Sequence, residues 1–403
     1  MSYERFLSDR AGHYRPLATR EAARRLEGVR PAKVVRFAVG NPGPEIYPYE
    51  VLGEIAKEVM LQYRDRVLLY GSTRGDRTFV EVLKNFMRDR GVRVDGDDEV
   101  IVTTGSQQAL YLVSVLLINP GDYIAVENPT YLSAINAFRT ANPRMIGVPV
   151  DENGMDVDAL EGRLKELKSA GSRIKFVYVV PVAHNPTGAT MSADRKKHLI
   201  ELASEHDFLI VEDDPYSYFT YEEADVTPLK TLDREGRVIY LSTMSKILAP
   251  ALRVGWILAK KELVNHLERV KALIDIQTPS LSQYISRIAI ERGIVAEVIS
   301  KARSLYKVKR DLMLQALEKH VPEGRWVRPV GGLFIMIWLP ESVDTEEMLP
   351  EAFQAGVYYI PGRQFFVDEE GSNTMRLNFS YPPVEDIEGG VEALGRVVRK
   401  RLS

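Results

Sequence analysis

The sequence predicts an α/β protein, with a large domain built on a mostly parallel sheet flanked by helices and a smaller α+β domain attached to it. Three observations lead there. Between about residues 97 and 260, short apolar runs of β type alternate with amphipathic helical stretches, the pattern of parallel strands joined by crossover helices. A long helical reading from Glu262 to about Lys319 then separates this region from two further apolar runs, at 331–338 and 375–379. Finally, 403 residues exceed what one compact core usually holds, so two domains, or one large domain with an appendage, are expected. The expected division is a large domain over residues 46–290 and a discontinuous small domain made of residues 1–45 and 291–403.

In chain order, the candidate strands of the large domain are Val100–Thr103, Tyr123–Glu127, Phe176–Val180, Phe208–Glu212, Val238–Ser242 and Gly255–Ala259. Helices fill the gaps; one opens at Ser106 after Gly105, and another runs from about Ala193 to His206. Pro279 is expected to break the long helical stretch. Ligands of such sheets bind outside the carboxyl ends of the strands, so the residues that end these strands become the candidates for function.

Composition narrows the partners. The chain is 45% hydrophobic and 27% charged with a formal net charge of -3, which suits a globular protein and offers no general attraction to nucleic acid or an anionic membrane surface. Small molecules are the expected partners. With no cysteine, disulfides, thiolate metal sites and a cysteine nucleophile are excluded, and a reducing compartment fits. Absent cysteines also suit a hot environment. The segment Met1–Arg30 is rich in Arg and Glu without the apolar core of a signal peptide, and no apolar run approaches the span of a bilayer, so a cytoplasmic protein is expected.

Four elements carry chemistry. Lys246 follows Leu241-Ser242-Thr243-Met244-Ser245 and is followed by Arg253. A lysine just past a buried strand, among hydroxyls and ahead of an arginine, suits a nucleophilic amine whose neighbours bind phosphate; taken alone, such a lysine is usually a surface charge. Val211-Glu212-Asp213-Asp214-Pro215-Tyr216 places carboxylates at a strand end, where one can pair with a protonated pyridine nitrogen. The plainer alternatives are a turn built from Asp and Pro, or a divalent-cation site. Ala183-His184-Asn185-Pro186-Thr187-Gly188 reads on its own as a turn. Thr104-Gly105-Ser106-Gln107 puts hydroxyls and backbone N–H groups at a helix start, an anion site that is neither a Walker loop nor a dinucleotide turn.

Together and in this order, the elements make the sequence resemble the fold-type I pyridoxal-5'-phosphate (PLP) aminotransferases of class I and II, nearest to the branch of kynurenine and 2-aminoadipate aminotransferases. The resemblance runs from Phe37-Ala38-Val39-Gly40-Asn41-Pro42-Gly43-Pro44 and Tyr70-Gly71 to Met375-Arg376-Leu377-Asn378-Phe379. It implies PLP held as a Schiff base on Lys246, with Asp213 on the pyridinium nitrogen and Tyr216 and Asn185 on the phenolic oxygen. Ser106, Gln107, Ser245 and Arg253 hold the phosphate, with Thr243 where the pattern usually has serine. Tyr131 stacks on the ring, and Arg376 clamps the substrate α-carboxylate with help from Asn185 and the backbone of Gly40. Tyr70 is expected to reach the PLP phosphate of a second subunit in a homodimer. No metal is implied.

The implied reaction is ping-pong transfer of an amino group from an L-amino acid, aromatic or 2-aminoadipate or similar, to a 2-oxo acid such as 2-oxoglutarate. A PLP lyase or synthase shares the same cofactor residues and differs in product. A transcriptional regulator with an aminotransferase-like sensor domain needs a preceding DNA-binding domain, whereas here the motifs begin by Phe37. Arg15, Arg20, Arg24 or Arg25 is a candidate for a distal substrate carboxylate, against the plainer reading of a solvated amphipathic helix.

Overall fold

In the computed structural model, residues 3–14, 22, 24–26, 28–368 and 370–403 are described. The first strand, β1 (Val35–Arg36), belongs with the carboxyl-terminal part of the chain. The next eight strands form one sheet: β2 (Asp98–Thr103), β3 (Tyr123–Asn128), β4 (Arg144–Asp151), β5 (Gly154–Met155), β6 (Ile174–Val179), β7 (Leu209–Asp213), β8 (Val238–Thr243) and β9 (Gly255–Lys260). Their order across the sheet is β2-β9-β8-β7-β6-β3-β4-β5. Neighbours from β8 to β4 are parallel, while β9 runs antiparallel between β8 and β2 and β5 folds back on β4 as a hairpin.

Every residue of β8 is buried, and so are all but the first of β7, as a sheet covered by helices on both faces requires. From β3 the chain moves one way, to β4 and β5; from β6 it moves the other way, to β7, β8 and β9. The reversal leaves a crevice at the carboxyl ends of β3 and β6, where ligands of such sheets sit.

The expected strands all appear, shifted by one or two residues. Strand β4 was not anticipated, because Gly147 and Pro149 interrupt its apolar alternation. Both have local reasons. A Cβ on Gly147 would meet the Asn128 side chain at 2.9 Å, and Pro149 lies near the sheet margin, where a missing donor is tolerated. The long helical reading resolves into three helices, Lys261–Ile274, Ser280–Glu291 and Ile294–His320, with Pro279 capping the second and Gly293, at φ 77°, opening the third.

The last strands are β10 (Arg325–Trp326), β11 (Phe334–Trp338), β12 (Val357–Tyr358), β13 (Ile360–Pro361) and β14 (Thr374–Asn378). Four of them form an antiparallel sheet in the order β10-β11-β14-β13, and β12 pairs with β1 in parallel. Helix Val384–Leu402 packs on helix Ile294–His320. Among the described residues, no helix is long and apolar enough to cross a membrane.

Candidate active site

Strands β7 and β8 deliver the two central groups. Asp213 is the last residue of β7 and is 2% exposed. Its Oδ2 accepts the Tyr178 hydroxyl at 2.9 Å, while its Oδ1 is buried without a hydrogen-bond partner. Burial pushes this carboxyl up to about 7; the Tyr178 hydrogen bond and nearby Lys246 oppose the rise, and neighbouring Asp214 adds to it. Lys246 lies three residues beyond β8 and donates from Nζ to the Gly40 carbonyl at 2.8 Å. Burial, followed by the charges of Arg376 and Arg253, lowers its amine to about 8.

The acidic triplet divides its work. Glu212 accepts the backbone N–H groups of Leu229 and Lys230, both at 2.8 Å, and burial pushes it up to about 8. Asp214 accepts the Ser217 N–H at 3.1 Å, the Ser217 hydroxyl at 2.7 Å and the Tyr240 hydroxyl at 2.8 Å. Because successive strand residues face opposite ways, the three carboxylates do not converge as a cation site would need.

On the opposite wall, Arg376 stands in β14, 5% exposed. It donates to Asn185 Oδ1 at 3.1 Å and to the Ala38 carbonyl at 3.2 Å, and its guanidinium lies over the rings of Phe334 (4.2 Å) and Phe365 (5.2 Å). Its Nε has no hydrogen-bond partner, and no carboxylate pairs with it among the described residues. Burial lowers its pKa to about 10, still high enough to keep the charge at neutral pH. Asn185 also contacts the Tyr216 hydroxyl, 3.5 Å from its Nδ2.

The third wall suits an anion. Ser106 opens helix Ser106–Leu117 behind Gly105, whose φ of 79° favours glycine. A Cβ on Gly105 would meet Arg253 Nη2 at 2.2 Å, and one on Gly255 would meet the Ser106 nitrogen at 2.7 Å, so the two glycines let arginine, strand and helix start close together. Arg253 Nη2 also donates to the Thr104 carbonyl at 3.3 Å. Thr243 Oγ1 lies 2.9 Å from Ser245 Oγ and accepts the Ser245 N–H at 3.1 Å.

Ten of the expected residues, Ser106, Gln107, Tyr131, Asn185, Asp213, Tyr216, Thr243, Ser245, Lys246 and Arg253, line one cavity of about 160 Å³, and Arg376 adjoins it through Asn185. The Gly40 carbonyl accepts from Lys246 Nζ, and the backbone carbonyl that Arg376 reaches is that of Ala38. Tyr70 stands apart from the cavity, 85% exposed. Arg15 and Arg20 lie outside the described residues, and Arg25 pairs with Glu346 at 2.9 Å. Sequence reasoning missed Tyr178 and Asn41. Tyr178 pairs with Val211, so it shares a face with Asp213 two positions on; only the register of β6 on β7 reveals this.

These residues fit PLP. The unpartnered Asp213 Oδ1 awaits a donor such as a protonated ring nitrogen, Asn185 and Tyr216 offer a phenolic oxygen its partners, and the Ser106 to Arg253 wall suits a phosphate. The model of the family described as aminotransferase class I and II matches residues 32–394. The aromatic-amino-acid aminotransferase 1 of Thermococcus litoralis is 42% identical across all of this chain and 96% of its own length. The 2-aminoadipate transaminase of Thermus thermophilus is 36% identical over 92% of this chain and 91% of its own. Among solved structures, a Pyrococcus horikoshii kynurenine aminotransferase is 40% identical with a TM-score of 0.95, covering 100% of this chain and 99% of that one. With the fold, the cavity and these likenesses in agreement, the chain belongs to the class I and II aminotransferases and is a PLP-dependent aminotransferase of fold type I.

Proposed function

We propose that this aminotransferase moves the amino group of an L-amino acid, aromatic or 2-aminoadipate or similar, to a 2-oxo acid such as 2-oxoglutarate. The observation that carries the reading is that Asp213 and Lys246 line one cavity and Arg376 adjoins it through Asn185, with Asp213 Oδ1 and Arg376 Nε both buried without hydrogen-bond partners. The substrate class follows the printed names of the aromatic, 2-aminoadipate and kynurenine relatives.

In this reading Lys246 anchors PLP, Asp213 faces its ring nitrogen, Tyr131 its face, Asn185 and Tyr216 its phenolic oxygen, and Ser106, Gln107, Thr243, Ser245 and Arg253 its phosphate. When bound, the cofactor supplies the sink for the electrons released as the substrate's α-proton leaves. Arg376 grips the α-carboxylate bidentately, a geometry a point charge does not offer, while Asn185 and the Gly40 backbone complete the grip. Lys246, freed by the incoming amino group, takes and returns the proton. An amine lowered to about 8 is close enough to neutrality to do both.

The active unit in this reading is a cytoplasmic homodimer in which Tyr70 reaches the neighbouring subunit's phosphate site. Exposed Leu68, Leu69 and Tyr70 adjoin exposed Leu273, Ile274 and Ile276 through the bond from the Gly71 N–H to Gln277 Oε1, an apolar patch that water should not face. The absence of cysteine supports a reducing compartment. The large domain in this reading is residues 46–290, and the small one is residues 1–45 with 291–403. The test is a panel of amino donors with 2-oxoglutarate, following the keto acid formed: transfer from aromatic acids or 2-aminoadipate is expected, and product that keeps forming beyond one equivalent per site without any keto-acid acceptor would indicate a lyase instead.

A further inference from the structure

We propose that Asn378 is a positioning residue for Lys246, acting through the peptide that runs from Phe37 to Asn41. The proposal rests on the reading of Lys246 as the cofactor's covalent anchor and deepens it.

The argument starts from where five consecutive carbonyls go. Phe37 O accepts the backbone N–H of Asn378 at 2.8 Å, and Ala38 O accepts Arg376 Nη2 at 3.2 Å. Val39 O and Asn41 O both accept from the side-chain Nδ2 of Asn378, at 2.6 and 3.0 Å. The carbonyl between them, Gly40 O, accepts from Lys246 Nζ at 2.8 Å. One amide side chain therefore holds the carbonyls immediately before and after that of Gly40 and leaves the Gly40 carbonyl turned to the lysine.

Asn378 suits this task chemically. It is fully buried, and its Oδ1 accepts the Ser380 N–H (2.7 Å), the Ser380 hydroxyl (2.8 Å) and the Tyr381 N–H (3.2 Å), so its acceptor side is tied down while its two donors face the strap. Aspartate has the same shape and acceptor but no donor. Gly40 is exposed and has no side chain to anchor it, so its orientation comes from its neighbours' bonds. Lysine has a flexible four-carbon stem, and an acceptor at a fixed point selects among its rotamers before the amine reacts.

The step at issue is cofactor capture: the Lys246 nitrogen bonds to the aldehyde carbon of PLP and water leaves. Apoenzymes of wild type, Asn378→Asp and Asn378→Ala are mixed with PLP, and the covalent step at saturating PLP is followed by absorbance. Equilibrium dialysis in the Lys246→Ala background, with and without the Asn378 changes, gives the non-covalent affinity. The covalent step is expected to slow about tenfold or more, on the scale of small misplacements of reacting groups, while non-covalent affinity changes by less than about twofold. Asn378→Asp keeps the acceptor bonds to Ser380 and Tyr381, so it isolates the two donations. Capture at the wild-type rate overturns the proposal, as does an equal loss of non-covalent affinity. Failure of both variants to melt cooperatively would make the residue purely structural and also overturns it. Covalent capture by Lys246→Ala alone would instead sink the assignment of Lys246, whatever the Asn378 variants do.

Discussion

Asp213, which lines the cavity, and Arg376, which adjoins it through Asn185, are buried groups of opposite charge, but they stand in different frameworks and with different margins. Asp213 ends a strand of the large sheet, where burial has carried its carboxyl up to about 7. Arg376 lies within the small antiparallel sheet, opposite Met336 and Ile360, and burial has lowered it only to about 10. At neutral pH the arginine keeps its charge unaided, whereas the aspartate is poised between its two forms. A cation from its ligand therefore tips the acidic pole toward its ionised form. The basic pole is charged before any substrate arrives, ready for a carboxylate.

The largest expected effect falls between the poles. Lys246→Ala should abolish the covalent absorbance band of the bound cofactor and reduce turnover by orders of magnitude; a band that stays and is still reducible by borohydride would show that another residue holds PLP. Asp213→Ala should cost about 10²- to 10³-fold in turnover, the scale for one preorganised charge in a dry site, and near wild-type rates would remove the acidic pole from the comparison. Arg376→Lys should raise KM for both amino and keto substrates by about ten- to a hundredfold, as when charge-assisted hydrogen bonds are lost, with PLP still bound. If cofactor affinity alone falls, the arginine belongs to the phosphate side.

A pH experiment sharpens the difference in margin. The Asp213 carboxyl is raised from 3.8 to about 7, so between those values the folded apoenzyme binds a proton that the unfolded chain has lost. This group's contribution to stability therefore falls as pH rises through that window. Asp213→Asn should stabilise the apoenzyme at pH 8 and lose that advantage toward pH 4, read from melting temperatures across the range. An advantage independent of pH would mean that the carboxyl titrates normally.

The smallest effect concerns Tyr70. Tyr70→Phe removes one hydroxyl and should weaken PLP binding about two- to tenfold, the worth of one hydrogen bond. Mixed with Lys246→Ala at PLP levels where it is largely empty, it should regain activity above the average of the two parents, because one site of each hybrid carries neither defect. Strict averaging, with subunit exchange proven, would return Tyr70 to its own subunit's surface.

What the sequence by itself determined is local. Apolar runs placed the strands of the large sheet, because a strand buried on both faces must be apolar along its length. Lys246, Asp213, Asn185 and Ser106 were legible because each follows a strand end or opens a helix, where chain direction alone says which side of the sheet a residue will reach. Strand β4 was hidden because Gly147 answers to Asn128, a residue on the neighbouring strand. Tyr178 was hidden for the same kind of reason, since its bond to Asp213 exists only in the register of β6 on β7. Only the tertiary structure decided that β14 brings Arg376 and Asn378 onto a peptide more than three hundred residues earlier, and that the Gly40 carbonyl turns to Lys246. Periodicity and turn chemistry act over a few residues and can be read along the chain; which buried donor meets which carbonyl depends on how two sheets pack, and no local pattern encodes that.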